Sequence, residues 1–182
     1  MNAIVNEMRK KIRVLEDKVM TNDNILRQDK LEIAGVPTTV SQNPEEIAFE
    51  ISKKVYPGLQ KDDVIKAFRI GKPKDHQGNN NPNRAILVQY KSPGIRNAVF
   101  TNKKVLKDVN LASLNIGNEN RRLYINENLA SDVKFLLHRV NVLRKEKQWK
   151  FLWTKAWMIY TRKDENARAI LVKCEEDLKL IV

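Results

Sequence analysis

Over the first 29 residues, Met1, Val5, Met8, Ile12, Leu15, Val19, Asn22 and Leu26 recur at alternating spacings of four and three. That is the period of a helix burying one stripe against a neighbouring helix. Val5, Ile12, Val19 and Leu26 take the a positions, and Met1, Met8, Leu15 and Asn22 take d. The other positions are almost wholly polar, so a lone copy leaves the seam uncovered. Residues 1–29 therefore read as a coiled coil and the chain as self-associating, with a helix packed on its own domain as the competing reading. Branched residues at a with Leu at d favour two strands. Lys11-Ile12-Arg13-Val14-Leu15-Glu16 instead has the Arg-h-x-x-h-Glu form of trimers with Lys in place of Arg, so homotrimer and dimer both stay open. Asn22 would fix the register at some cost in stability.

From Lys30 the period shifts to two. Residues 30–37 alternate as a strand and end on Gly35 and Pro37, and Asn43-Pro44-Glu45-Glu46 opens a helix that should run to about Tyr56. Residues 64–71 and 84–91 give two further strands, separated by a polar loop over residues 72–83. Ser92-Pro93 starts a second helix to about Leu106, and residues 122–126 form a fourth strand. The order βαββαβ over 30–128 is that of a ferredoxin-like, RRM-like domain, two helices covering one face of an antiparallel sheet. Residues 129–182 then read as a small basic α/β domain: a helix capped by Ser131, a Trp-rich hairpin, a strand over 168–173 and a short helix from Glu175. The fold class is α+β.

The charge pattern narrows the partners. Net charge is +12, and residues 120–182 carry 14 positive and 8 negative side chains. A surface of that sign attracts polyanions. Residues 147–163 also interleave these cations with Trp149, Trp153 and Trp157, the chemistry of a surface that grips phosphate and stacks on bases. Packing of the same rings against their own domain is the competing reading. On the first and third strands only Tyr90 is aromatic, so ordinary sheet-face base reading is poorly supported and electrostatics should dominate.

The candidate nucleic-acid-binding residues are Arg69, Lys72, Arg84, Arg121, Arg122, Arg139, Lys155, Arg162 and Lys163, with Lys74 beside them; Tyr90, Trp153 and Trp157 are the candidate stacking rings. These cations are expected to line a cleft between the two globular domains, with Arg121, Arg122, Lys155 and Arg162 foremost. Val5, Met8, Ile12, Leu15, Val19, Asn22 and Leu26 are the oligomerisation set. The partners expected are single-stranded RNA or DNA and further copies of the chain, with no membrane and no small-molecule substrate.

Other classes fall away on residue type. No phosphate-binding Gly loop, nucleophile elbow or His/carboxylate signature occurs, and the acids at 62–63, 164–165 and 175–177 suit turns and helix starts, which argues against an enzyme. With one cysteine and two histidines, no metal site and no cofactor are expected, and Cys174 reads as a small core residue. No apolar run approaches the roughly 20 residues of a membrane span and the N-terminus lacks signal-peptide regions, so the expected location is intracellular, cytoplasmic or nuclear.

Two resemblances bear on this reading. The stretch Arg121-Arg-Leu-Tyr-Ile-Asn-Glu-Asn-Leu129, followed by a basic helix, Lys150-Phe-Leu-Trp153 and Ile159-Tyr-Thr-Arg-Lys-Asp164, resembles the baculovirus few-polyhedra (FP) protein family and its insect relatives. More distantly, the order of coiled coil, βαββαβ unit and basic C-terminal unit resembles the first-reading-frame protein of LINE-type retrotransposons. The second resemblance implies a trimeric, single-strand-binding nucleic-acid chaperone that coats its transcript as a ribonucleoprotein, with Arg121, Arg122 and Lys155 as the matching cations. Where the mammalian-type relatives carry Tyr-Pro-Ala-Lys this chain has Trp153-Thr154-Lys155-Ala156, its lysine one place earlier. The first implies a role in virion and occlusion-body production, and with it an adaptor that acts through protein partners. A DNA-targeting protein that prefers duplex is a third class.

Overall fold

The computed structural model describes residues 2–73, 78–79, 81–82, 84–117 and 120–182. Met1, Lys74 and half of the expected loop over 72–83 lie outside them. The described chain is α+β and divides into two compact units, one of Arg27–Asn128 and one of Met1–Leu26 with Leu129–Val182. Its elements are α1 (Asn2–Arg27), β1 (Lys30–Ala34), α2 (Pro44–Val55), β2 (Val64–Arg69), β3 (Ile86–Tyr90), α3 (Pro93–Asn102), β4 (Tyr124–Glu127), α4 (Ser131–Glu146), β5 (Phe151–Lys155), β6 (Met158–Arg162) and β7 (Ile170–Val172). No described helix is long and apolar enough to cross a membrane.

The first four strands form one antiparallel sheet in the order β2-β3-β1-β4, the βαββαβ arrangement expected from the alternation. Inward-facing Leu31, Ile33, Ile86, Val88, Tyr90 and Ile125 meet Ile47, Ile51 and Val99 of the two helices in one buried core. Asn43 starts α2 by accepting from the Glu45 amide at 2.9 Å, and Ser92 starts α3 by accepting from the Ile95 amide at 3.3 Å. Gly35 ends β1 at φ 99°, where a Cβ would lie 2.2 Å from the Arg122 carbonyl oxygen. Only glycine lets β4's approach run that close.

A buried ion pair ties α3 to β4. Arg96 donates to the Glu127 carboxylate at 3.1 Å, with side chains 4% and 1% exposed, and also to the Lys30 carbonyl at 3.4 Å. The Arg96 guanidinium lies 4.8 Å and the Lys103 ammonium 3.7 Å from the centre of the Phe100 ring. Burial holds the Lys103 ammonium below the usual lysine range, while its Nζ donates to the Ile125 carbonyl at 3.1 Å.

The other unit packs α4 and a final 3-10 turn, Glu175–Leu180, on one face of a β5-β6-β7 antiparallel sheet. Leu136, Val140, Trp149, Ile159, Val172 and Ile181 form its core. Trp149 is buried and its indole N–H donates to the Val182 carbonyl at 3.1 Å, so this ring builds the unit.

Three local expectations need correction. Helix α3 stops at Asn102 and continues only as a 3-10 turn, Lys103–Asp108. Ala130, not Ser131, takes the cap position of α4, with no side-chain cap. Cys174 is exposed at the start of the last 3-10 turn instead of lying in the core.

Candidate nucleic-acid interface

The outer faces of the two sheets are built by strand parity. In the four-stranded sheet, Phe68, Leu87, Glu32 and Asn126 stand opposite one another across β2, β3, β1 and β4, on the side away from α2 and α3. Tyr124 shares that side two residues from Asn126. Phe68 is 42% exposed with the Lys66 ammonium 5.3 Å from its ring, and Tyr124 is 51% exposed. The two rings sit on opposite edge strands, three strand spacings apart across the sheet and two residues apart along it, or about 16 Å between strand positions. The middle of this face is polar and held: Arg27 donates to Asn128 at 3.0 Å and Asn128 to the Glu32 carboxylate at 2.6 Å.

Tyr90, the ring expected on this face, is on the other one. It is 1% exposed and shares a 2.7 Å hydrogen bond with Ser52 of α2, and burial pushes its phenol up to about 12. Its parity is that of Ile86 and Val88, so stacking by Tyr90 is ruled out.

Of the cations on this unit, Arg69 and Arg84 are committed to the main chain. Arg69 donates to the carbonyls of Val36, Pro37 and Arg84, the last two at 2.8 Å each, and Arg84 donates to Gly71 at 3.1 Å and Arg69 at 3.0 Å. Burial first, then the neighbouring Arg84 charge, lowers the Arg69 guanidinium from its ordinary value. Both are structural clamps, and the expectation that they grip phosphate is corrected. Lys72 is exposed. Arg121 and Arg122 are also exposed and line a concave notch of about 320 Å³ with Lys107, Asn110 and Asn120. Asp108 lines the hollow too and Asn110 donates to Asn120 at 3.0 Å, so the three cations are what the notch offers a phosphate oxygen.

In the C-terminal unit the sheet face opposite α4 carries the rings. Phe151, Trp153 and Lys155 of β5 stand opposite Arg162, Tyr160 and Met158 of β6, while Leu152 and Ile159 point to the core. Trp153 and Tyr160 stack with centroids 5.7 Å apart and planes 13° from parallel, and Trp153 stays 36% exposed. The Arg162 guanidinium lies 4.6 Å over the Phe151 ring. Lys155 is exposed at the end of β5 and Lys163 is exposed just after β6. Arg139 is instead paired with Glu175, which occupies its charge.

Ala156 and Trp157 make the two-residue loop between β5 and β6 at φ 51° and 61°. Trp157 is half-buried at this tip and is not part of the Trp153–Tyr160 stack.

Residues 131–182 match the family described as Baculovirus FP protein domain 2. The matched part takes in α4, the three-stranded sheet and the last 3-10 turn, so the Trp153–Tyr160 face lies within the matched segment. The four-stranded unit, with residues 121–129, lies outside the match. No curated protein matches the chain.

Reading only β1 and β3 for aromatics missed Phe68 and Tyr124. Their signal was present: Tyr124 alternates with core residues Leu123 and Ile125, and Phe68 follows core residue Ala67. Lys107, Phe151 and Tyr160 were missed as well. Along α1, Val5, Met8, Ile12, Leu15, Val19 and Leu26 are 42–68% exposed, and Asn22 is exposed among them.

Proposed function

We propose that this chain is an oligomeric single-stranded nucleic-acid-binding protein that holds RNA mainly by backbone phosphates, forms ribonucleoprotein and acts as a chaperone. The observation that carries this reading is the open face of the C-terminal sheet, where the Trp153–Tyr160 stack lies beside Arg162 on Phe151 and an exposed Lys155. Rings of this kind accept any base face, and cations beside them meet the phosphates between bases. The Lys107, Arg121 and Arg122 notch on the other unit supplies a further phosphate site.

The exposed seam of α1 supports assembly with other copies, which multiplies modest affinities through high effective concentration. On this reading the protein works in the cytoplasm or nucleus, has no catalytic step, and shares the retrotransposon-type mode of coating a transcript. Fluorescence anisotropy with a labelled single-stranded 20-mer and its duplex tests it. Tighter binding of the single strand supports the reading, and equal or preferential duplex binding overturns it.

The FP match favours a second reading, an adaptor of few-polyhedra type acting through protein partners. On that reading Arg121→Ala with Arg122→Ala abolishes a protein pull-down and leaves oligonucleotide affinity unchanged.

A further inference from the structure

A groove on the Arg27–Asn128 unit runs against the sign of the whole chain. Its cavity of about 640 Å³ is walled by α2, by the start of β2 and by residues 114–116. Phe49, Val64, Leu114 and Ile116 make an apolar lining that is continuous with the core. Glu45, Glu46 and Glu50 stand along the α2 side, all exposed, against the single cation Lys61. Gln42 closes one end by donating to the Asn115 carbonyl at 3.2 Å.

Helix energetics explain part of this. Glu45 and Glu46 lie in the first turn of α2, where carboxylates are favoured by the helix dipole. Glu50 is outside that turn and stands four residues from Glu46, a like-charge spacing that destabilises a helix by about 0.2–0.5 kcal/mol. No ion pair among the described residues holds any of the three. A protein with net charge +12 thus keeps three carboxylates, faced by Lys61, along one groove lined by both polar and apolar side chains.

We propose that this groove binds a Lys/Arg-rich peptide segment of a partner protein, one that carries apolar side chains between its cations. The carboxylates would meet the cations, and the Phe49, Val64 and Leu114 lining would take the apolar residues. The proposal is independent of nucleic-acid binding, because the groove would repel a phosphate backbone. It also gives the protein a way to recruit a basic partner while its cationic faces hold a strand.

The test uses the full chain and two fluorescein-labelled 12-residue peptides, one repeating Lys-Lys-Leu and one of lysine alone, followed by anisotropy in 0.1 M salt. The Lys-Lys-Leu peptide should bind at least five-fold tighter than oligolysine. Glu46→Gln with Glu50→Gln should weaken it about ten-fold, and Glu46→Lys with Glu50→Lys should remove it. Asp17→Lys, an exposed charge reversal on α1, should leave it unchanged. Circular dichroism melts of the Gln variant control for folding, because loss of two carboxylate charges at exposed helix positions spares the helix. Equal binding of both peptides, or equal weakening by Asp17→Lys, overturns the proposal. A change in assembled mass of the Glu46 and Glu50 variants without a change in peptide affinity also overturns it, and assigns the groove to a second copy of the chain.

Discussion

Arg69 and Arg84 hold each other's main chain: Arg69 donates to the Arg84 carbonyl at 2.8 Å, and Arg84 donates back to the Arg69 carbonyl at 3.0 Å. With Arg69 also gripping Val36 and Pro37, one guanidinium fork joins the end of β2, the start of β3 and the chain leaving β1.

This clamp predicts a loss of stability without a loss of ligand. Arg69→Ala leaves three carbonyls without their charged donor, at about 1–1.5 kcal/mol each, so urea unfolding should show a loss of about 3–4.5 kcal/mol. Arg69→Lys should lose nearly as much, because an ammonium cannot reproduce the planar fork. Oligonucleotide affinity at 25 °C should stay within two-fold of the parent in both.

Buried Tyr90 predicts a stability change at high pH. Its phenol is raised to about 12 by burial, above the ordinary 10, so the folded state favours the neutral ring. That contribution is fully present below pH 10 and lost as pH rises to about 12, a window worth about 2–3 kcal/mol. Denaturant titrations should show a decline in this window that Tyr90→Phe flattens. Equal slopes for parent and variant would contradict the assignment.

The β5–β6 loop carries strain that substitution should relieve. Two successive residues at positive φ form the pattern of a type I′ turn, which prefers Asn-Gly, whereas Ala156 pays roughly 1 kcal/mol there. Ala156→Asn should raise the unfolding free energy by about 0.5–1 kcal/mol and the melting temperature by about 1–4 °C. Single-strand affinity should be unaffected.

Charges flanking the α1 seam predict how copies align. Lys11 and Lys18 fall at g, and Glu16 and Asp23 at e, so a parallel, in-register pairing sets opposite charges across each interface. An antiparallel pairing sets Lys against Lys. The Lys11–Glu7 pair within one helix, at 2.8 Å, is exposed and competes weakly. Light scattering should show Lys11→Glu with Lys18→Glu losing assembled mass, and Glu16→Lys with Asp23→Lys restoring it in the combined variant.

The strands themselves were legible because alternation of Leu31, Ile33 and of Ile86, Val88 states a period of two directly. The helix starts at Asn43 and Ser92 were legible too, since capping is local chemistry. What was not legible depended on partners distant in sequence. Arg69 reads as a free cation until Val36 and Arg84 are brought beside it, and Arg139 until Glu175 is. Tyr90 reads as a ligand ring although Ile86 and Val88 already share its face, because a tyrosine suits either side of a sheet. The Trp153–Tyr160 stack requires the β5–β6 register, which the unusual Ala156-Trp157 loop did not signal.

On the proposed reading, exposed Lys155 and half-buried Arg162, beside the Trp153–Tyr160 stack, hold single-stranded nucleic acid by its phosphates. Filter binding of an rU 20-mer from 50 to 400 mM salt measures it most directly, with the parent compared against Lys155→Ala with Arg162→Ala. The parent should give a steep negative log–log slope, and the variant a slope shallower by about 1.4, about 0.7 for each phosphate contact removed. A parent slope near zero, or identical slopes for parent and variant, would contradict the account.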